Sequence, residues 1–543
     1  MSVKINYRRK TMEYKYKILI IMILYMSVVI GIGVYFFKRA QKNSENYFLG
    51  GRTLGPWVTA MSAEASDMSG WLLMGLPGLA YWCGLSSVFW TALGLAIGTY
   101  VNWLIVAKRL RNYSQISGNS ITVPEFFSNR FKEKKKVILG ISAVFIFVFF
   151  AVYASSCFAT VGKLFTALFG GNYHIWLLVG AVFVVAYTLI GGFLAESVSD
   201  FMQAIVMIIA LVVVIGVGVV KAGGFGAVME NAKAIDGFWS LFKTATPVTD
   251  ANGNQIPGLF GQAGKFGFWS IISEMAWGLG YFGVPQVLLR FMAIRKPSEI
   301  KRSRIIATVW VVISLAAAVL IGVMGRTLIP VSDILGSKSG AENILIVFSE
   351  QFLPFIIAGL IMAGILAATI SSSDSYLLIA SSAVSANIFK GIIKKDKVDD
   401  KTVMWVSRIA VIVIALAGMV IAWDKNSVIF TLVSFAWAGF GATFGPLMLF
   451  SLFWKRVTKE GAIAGMLSGG LFVFLWEFVF TKFLADKVAF FGIYELLPAF
   501  IVSSIVIVVV SLLTKEPSAE IVDEFERAKK GEIEEIEEAP AQA

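Results

Sequence analysis

Apolar runs of about 20 residues recur along almost the whole chain, each long enough to cross the ~30 Å hydrocarbon core of a bilayer as a helix. Hydrophobic residues make up 57% of the 543 residues and charged residues only 15%. A soluble globular domain carries about 25% charged residues, so the composition excludes a soluble enzyme. We therefore predict an all-α polytopic membrane protein that spans the lipid bilayer of the cell membrane.

The apolar runs predict about thirteen transmembrane helices. The predicted spans are 18–37, 56–82, 84–107, 137–168, 175–192, 194–220, 265–289, 304–328, 352–388, 403–423, 427–453, 461–484 and 494–514.

The distribution of lysine and arginine indicates the orientation. Basic residues concentrate in alternate connections between the predicted spans, and the connections on the opposite side hold few basic residues. We assign Arg290 to a connection of the first kind and Lys163 to one of the second kind. Because basic loops stay in the cytoplasm, we predict the N-terminus outside and the C-terminus in the cytoplasm. The first 17 residues are also basic, which opposes an external N-terminus. This conflict disappears if translation begins at Met12 or if later helices determine the orientation of the protein. The net charge of +12 is thus an orientation signal and indicates no nucleic-acid partner.

An ionisable residue, Asp67, stands in the middle of the second predicted span, where a charge facing lipid is costly. Small residues surround it within 65–70, and Pro77 follows. Such residues allow a helix to unwind, which frees backbone carbonyls to coordinate a cation. The alternative is close helix packing through small residues, which needs no ligand. The carboxylate at this depth favours a site.

Two further polar groups lie in predicted spans. Hydroxyl side chains accompany Asp374 within 369–375, and hard oxygen ligands of this kind suit Na⁺. Serine can instead bond to the preceding helical turn, and Asp374 can be solvated near a helix end. Asp200 opens another helix, where an N-cap or helix-dipole role competes with ion binding.

A second interrupted helix is predicted at residues 277–285, which combine three glycines, a proline and aromatic rings in one span. The rings can enclose a small solute or simply pack. The two interrupted helices lie five spans apart, as in two inverted five-helix repeats preceded by one helix and followed by two. The chain then divides into an N-terminal tail and first helix (1–55), a first repeat (56–220), an external loop (221–264), a second repeat (265–453), two C-terminal helices (454–514) and an acidic cytoplasmic tail (515–543).

These motifs, in this order, resemble those of the sodium:solute symporter family, from about Tyr47 to Pro517. The stretches that carry the resemblance are LGGR at 49–52, ASDMSGWLLMGLPG at 65–78, WGLGYFG at 277–283 and SFAWAGFG at 434–441. The resemblance implies the inverted-repeat core of the neurotransmitter:sodium symporters. It also implies a transporter rather than an enzyme, with Na⁺ as the co-transported ion and a small amino acid, most closely L-proline, as the substrate.

Carried over residue by residue, the resemblance implies three sets of site residues. The Na⁺ site would use the backbone carbonyls of Ala65, Met68 and Ala368 and the hydroxyls of Ser371 and Ser372, with Asp67 needed for Na⁺ affinity and Asp200 on a Na⁺ path or second Na⁺ site. The substrate contacts would be Ser69, Gly70, Tyr153, Trp277, Tyr281 and Pro285. Arg52 matches an arginine important for coupling, and Asp374 is a further coupling candidate.

Two carboxylates depart from the pattern of proline-transporting members. Glu64 and Glu274 each stand three residues before a site residue, where such members have a glycine and an apolar residue. They lead to an alternative in which the substrate is a cationic amino acid or H⁺ takes part. Otherwise each carboxylate points into a wet vestibule.

Other classes of membrane protein have little support. The sequence has no Gly-x-x-x-x-Gly-Lys-Ser/Thr phosphate loop for a primary pump. Its single histidine, His174, falls in a predicted turn and provides no catalytic pair for a membrane enzyme. A channel is the remaining, less favoured alternative, and no obligate protein partner is implied.

Overall fold

The computed structural model describes residues 2–40, 44–332, 334–395 and 397–531. Helices dominate this part of the chain. In chain order they are α1 (Ser2–Ala40), α2 (Ser44–Leu49), α3 (Pro56–Asp67), α4 (Leu76–Cys83), α5 (Leu85–Val101), α6 (Ala107–Ile116), α7 (Val123–Arg130), α8 (Val137–Phe169), α9 (Tyr173–Gly191), α10 (Phe193–Lys221), α11 (Phe225–Lys233), α12 (Phe268–Met275), α13 (Pro285–Ala293), α14 (Ile300–Leu328), α15 (Lys338–Ala341), α16 (Ile344–Phe352), α17 (Phe355–Ser382), α18 (Asp400–Ile421), α19 (Ile429–Phe453), α20 (Lys459–Leu475), α21 (Lys482–Leu484), α22 (Leu496–Leu513) and α23 (Ala519–Lys530).

Within the described residues, ten helical stretches are long and apolar enough to cross a membrane. They are Met12–Ile32, Leu85–Ile116, Val137–Phe169, Phe193–Lys221, Pro297–Leu328, Phe355–Ile393, Asp400–Ile421, Ile429–Phe453, Lys459–Leu484 and Leu496–Leu513. Two shorter apolar helices, Trp71–Cys83 and Tyr173–Leu189, fall in two further predicted spans.

Interruptions explain why the predicted spans 56–82 and 265–289 hold no long helix. α3 ends at Asp67, and a π-helical turn at Trp71–Gly75 leads into α4. α12 ends at Met275, and a 3₁₀ segment, Ala276–Phe282, separates it from α13. Each half is too short to cross a bilayer by itself at 1.5 Å per residue.

The segment predicted as an external loop, 221–264, has structure of its own. It contains α11 and four short strands, β1 (Lys243–Thr244), β2 (Pro247–Thr249), β3 (Gln255–Phe260) and β4 (Gly264–Lys265). β1 pairs with β4 and β2 with β3, both antiparallel. The expectation of an all-α chain is therefore corrected to a mostly helical one.

The interrupted helices lie inside the bundle, and apolar side chains cover its outside. α3 packs against α10, α13, α14 and α17, and every residue from Thr59 to Asp67 is buried. On α18 the exposed face instead presents Ile409, Val413, Leu416 and Val420. Polar residues inside and apolar residues outside reverse the pattern of a soluble protein and suit a lipid surround.

The C-terminal segment is partly folded. α23 packs against α6, with Phe525 buried and its ring 6.4 Å from that of Tyr113. The predicted acidic tail therefore begins with a docked amphipathic helix, whereas its acidic run after 531 lies outside the described residues.

Candidate functional site

Asp67 is the last residue of α3, and the chain leaves the helical conformation directly after it. Met68 has φ −88° and ψ 77°, and the Trp71 indole donates a hydrogen bond to the Asp67 carbonyl (2.9 Å). The fully buried Asp67 carboxylate accepts a hydrogen bond from the Tyr281 hydroxyl (2.9 Å), and the Tyr153 hydroxyl of α8 lies 3.5 Å from its other oxygen. The first interruption, the second interruption and α8 therefore meet at one carboxylate.

An aromatic cluster lies beside this site, since Trp71 donates to the Asp67 carbonyl and the Trp437 ring lies 5.0 Å from the Tyr281 ring. It consists of Trp71, Trp277, Phe430, Trp437 and Tyr494, and Trp277 stands in its centre, with ring centroids 5.0 to 6.2 Å from the other four. The Trp437 indole donates to the Trp277 carbonyl (2.8 Å). Rings of this kind form the apolar wall that small-solute sites commonly have.

Two of the remaining candidate substrate residues lie beside Asp67 and one does not. The Ser69 hydroxyl is buried and has no hydrogen-bond partner among the described residues. A Cβ on Gly70 would stand only 2.2 Å from Thr160 Oγ1, so α8 requires glycine there. Pro285 instead lines a small apolar cavity with Phe48 and other residues, away from the aromatic cluster.

The candidate Na⁺ ligands lie where α3 faces α17. Ser69 N–H donates to the Asp67 carbonyl (3.1 Å) rather than continuing the helix, which leaves the Ala65 carbonyl free to accept from Ser372 Oγ (3.1 Å). Ser371 Oγ donates to Asp200 Oδ1 (2.6 Å). Ala368 stands one turn before Ser372 and is fully buried. One carbonyl, that of Ala65, thus meets one hydroxyl, that of Ser372, and oxygens of both kinds are ligands that a hard cation such as Na⁺ prefers.

Asp200 lies inside α10, well after its first residue Phe193, so the expected N-cap position is wrong, and Asp200 instead belongs to a buried charge cluster that was not predicted from the sequence. The cluster comprises Asp200, Glu196 and Arg290, together with the hydroxyls of Ser62 and Ser375. Arg290 is fully buried in α13, so its assignment to a connection is wrong. One signal was available, because Glu196 and Asp200 stand four residues apart and therefore share a face of α10.

Asp374 lies close to this cluster. It is 1% exposed, and the charged groups nearest to it are Glu196, Asp200 and Arg290. Neither of its carboxylate oxygens has a hydrogen-bond partner in the part of the chain that the structure describes.

Arg52 joins the segments that precede and follow the two interrupted helices. Its guanidinium donates to the carbonyls of Met292 (2.6 Å) and Ser120 (2.8 Å) and to the Asn119 side chain (3.1 Å). Burial and the nearby Arg111 guanidinium lower the pKa of Arg52 to about 10. Arg52 therefore fixes the entrance of α3 to the end of α13.

The two unusual carboxylates occupy different surroundings. Glu274 is half-buried and accepts hydrogen bonds from Ser87 and Thr91 on α5 (2.7 Å each), so it is fully partnered outside the Asp67 site. Glu64 is fully buried beside Asp67. One of its oxygens accepts from the Trp103 indole (3.2 Å), and the other has no partner among the described residues.

A second buried ion pair lies near the aromatic cluster. Lys163 is buried in α8, which corrects its assignment to a connection, and its Nζ lies 2.6 Å from Glu342 Oε2. Nζ also donates to the Ser427 carbonyl (2.6 Å), and Glu342 accepts from the backbone N–H of Phe430 (3.2 Å). The pair thus links α8, the α15–α16 connection and the start of α19.

Comparison with known proteins gives concordant results. The model of the sodium:solute symporter family matches residues 47–469. The chain is 40% identical to a sodium/proline symporter of Staphylococcus aureus over 507 residues, which cover 93% of this chain and 94% of that protein.

Two solved structures share the fold. A Na⁺-coupled sialic acid symporter in its substrate-bound outward-open state is 18% identical, with a TM-score of 0.69 over 92% of this chain and 99% of that one. MhsT in complex with L-phenylalanine is 13% identical, with a TM-score of 0.51 over 84% of this chain and 97% of that one.

Proposed function

Since this chain belongs to the sodium:solute symporter family, we propose that it takes up L-proline together with Na⁺ by alternating access. Membership of the family makes it a transporter with Na⁺ as the co-transported ion and a small molecule as substrate. The observation that carries the proposal is the convergence on Asp67 of both interrupted helices and α8, beside the oxygens of Ala65 and Ser372.

The substrate would lie between Asp67 and the aromatic cluster. Ser69 supplies a buried hydroxyl that has no hydrogen-bond partner among the described residues, and the Trp277 and Tyr281 rings supply apolar surface for a pyrrolidine ring. The 40% identity to a sodium/proline symporter supports L-proline as the substrate. Na⁺ would be held by Ala65, Met68, Ala368, Ser371 and Ser372, with Asp67 needed for Na⁺ affinity and Asp200 on a Na⁺ path or second Na⁺ site.

The architecture in this proposal has thirteen crossings, with the N-terminus outside and the C-terminus in the cytoplasm. The repeats would be 56–220 and 265–453, since α3–α4 and α12–α13 are interrupted at corresponding positions. Between the outward-facing and inward-facing forms of the carrier, helices of one part of the repeat core would move against the rest around the Asp67 site.

Uptake into proteoliposomes tests this function. An inward Na⁺ gradient should drive accumulation of labelled L-proline against its own gradient, and an inward K⁺ gradient of equal size should not. By linkage, Na⁺ and proline should raise each other's affinity by the same factor. Proline affinity that is independent of Na⁺ would refute the proposal, and downhill flux without accumulation would indicate a channel.

A second candidate substrate, a cationic amino acid, rests on Glu64 alone. Glu64 is a fully buried carboxylate beside the Asp67 site, and one of its oxygens has no partner in the part of the chain that the structure describes, so it is suited to an ammonium group or a proton. The hydroxyls of α5 already satisfy Glu274. Competition of proline uptake by lysine and ornithine tests it in the wild type, Glu64→Gly and the matched control Glu274→Leu. Inhibition by lysine that is lost only in Glu64→Gly would favour the cationic substrate, and the same selectivity in all three proteins would eliminate it.

A further inference from the structure

The cluster around Arg290 brings a side-chain cation to the carboxylate beside the candidate Na⁺ site. Arg290 Nη2 lies 3.3 Å from Asp200 Oδ2 and 2.9 Å from Ser375 Oγ, and it also donates to Glu196 Oε1. Arg290 Nε donates to Ser62 Oγ (3.1 Å), which in turn donates to Asp200 Oδ2 (2.7 Å). One guanidinium thus joins α3, α10, α13 and α17.

Asp200 connects this guanidinium to the candidate Na⁺ ligands. Its other oxygen, Oδ1, accepts the hydrogen bond from Ser371 Oγ (2.6 Å). If a lone pair of Ser371 Oγ faces Na⁺, the hydroxyl still donates its hydrogen bond to Asp200, and the carboxylate then lies near two cations. Charges this close inside a protein interact strongly because little water screens them. Na⁺ and Arg290 therefore compete for the negative charge of Asp200.

Glu196 offers the guanidinium a second position. It is 1% exposed, and its Oε1 accepts from Arg290 and Ser375. Its Oε2 has no hydrogen-bond partner among the described residues. A guanidinium can engage both oxygens of one carboxylate, so Glu196 has the capacity to hold Arg290 by itself.

We propose that Arg290 is a tethered cation that neutralises Asp200 when Na⁺ is absent and moves to Glu196 when Na⁺ binds. In the Na⁺-bound form, Na⁺ balances Asp200 and Arg290 balances Glu196. In the Na⁺-free form, Arg290 bridges Asp200 and Glu196, so the empty carrier can change conformation while each of these two buried carboxylates still contacts a cation. The inference rests on the proposed Na⁺ symport and adds a role for two residues outside the ligand set.

Binding of ²²Na⁺ to the purified full-length protein tests the inference without any choice of substrate. Arg290→Gln removes the competitor and should lower the Na⁺ concentration for half-saturation, on the order of 5- to 150-fold as for a typical coupling between sites. Glu196→Gln removes the second position and should raise that concentration. Arg326→Gln is the matched control, because Arg326 is also a buried arginine but stacks on Tyr81 and Phe260.

The outcomes are distinguishable. Opposite shifts in Arg290→Gln and Glu196→Gln with no shift in Arg326→Gln support the inference, while equal affinities or shifts of the same sign overturn it. If Arg290→Gln does not fold, Arg290→Lys should shift affinity in the same direction, because a compact ammonium lacks the planar, forked donors with which the guanidinium contacts both carboxylates and Ser62. A wild-type protein that binds no ²²Na⁺ overturns the proposed function together with the inference.

Transport in proteoliposomes provides a second readout. Net Na⁺-driven uptake requires return of the empty carrier, whereas exchange of labelled for unlabelled proline at high Na⁺ on both sides does not. The ratio of exchange to net uptake should therefore rise in Arg290→Gln. A purely structural role for Arg290 would lower both rates equally and leave the ratio unchanged, which would contradict the inference.

Discussion

The Lys163–Glu342 pair should hold the site closed on the side of the aromatic cluster. The side chains are 6% and 1% exposed, and their charged atoms are 2.6 Å apart. Lys163 Nζ donates further hydrogen bonds to the Ser427 carbonyl (2.6 Å) and Ser339 Oγ (2.7 Å). The elements joined in this way must separate for a solute to reach Trp277 from that side.

Removal of either charge should therefore open this side. Breaking a buried ion pair by loss of one partner costs about 3–5 kcal/mol, because the other charge stays buried alone. Since about 1.4 kcal/mol is a factor of ten, the population of the closed form relative to an open form should fall by roughly 10²- to 4 × 10³-fold. Lys163→Met and Glu342→Gln should both show this shift, with less net uptake because closure is incomplete.

Cys157 provides the assay. It is a free, fully buried cysteine on α8, whereas Cys83 is partly exposed and would be replaced by serine. In right-side-out vesicles, a membrane-impermeant maleimide should label Cys157 slowly in the otherwise unchanged protein and much faster in either single variant. Equal labelling rates in all three proteins would refute the reasoning.

The double variant separates the lost ion pair from general damage. Lys163→Met/Glu342→Leu replaces both charges with apolar groups of similar volume, a change that is often neutral or stabilising for a buried pair. Its Cys157 labelling should return towards the slow rate. If labelling in the double variant is as fast as the two single effects combined, the pair does not hold the site closed.

Three further predictions concern the site itself. Asp67→Asn keeps the shape of the side chain but removes the charge facing Tyr281, so it should abolish uptake or raise the Na⁺ concentration for half-maximal uptake by about 5- to 150-fold. An unchanged Na⁺ titration would contradict the role of Asp67. Gly280→Ala would place a Cβ 1.9 Å from the Trp437 indole nitrogen. Overpacking of this kind costs about 1–3 kcal/mol, so the thermal unfolding temperature should fall. An unchanged unfolding temperature would show that the Trp437 ring moves freely. The lysine in Arg52→Lys cannot make the same set of planar hydrogen bonds, so this variant should lower the maximal rate of net uptake with little change in the half-saturating proline concentration. A change confined to proline affinity would contradict a role of Arg52 in holding α3 to α13.

The sequence by itself determined the membrane class, the family and the location of both helix interruptions. Span length and hydropathy are local properties that a run of residues carries wherever it packs. The unwinding at Asp67 and the break at 276–282 likewise follow from nearby small residues and proline, and the structure shows both.

The tertiary structure alone decided which buried charges meet. The sequence pattern places Arg290 and Lys163 in connections between spans. In the structure, however, Arg290 pairs with Glu196, 94 positions away in the chain. Lys163 pairs with Glu342, 179 positions away. The structure also distinguishes Glu64, one oxygen of which has no partner among the residues described, from Glu274, both oxygens of which accept hydrogen bonds from α5. Partners of this kind come from helices distant in the chain, so the energy of a buried charge depends on a packing arrangement that no local pattern encodes.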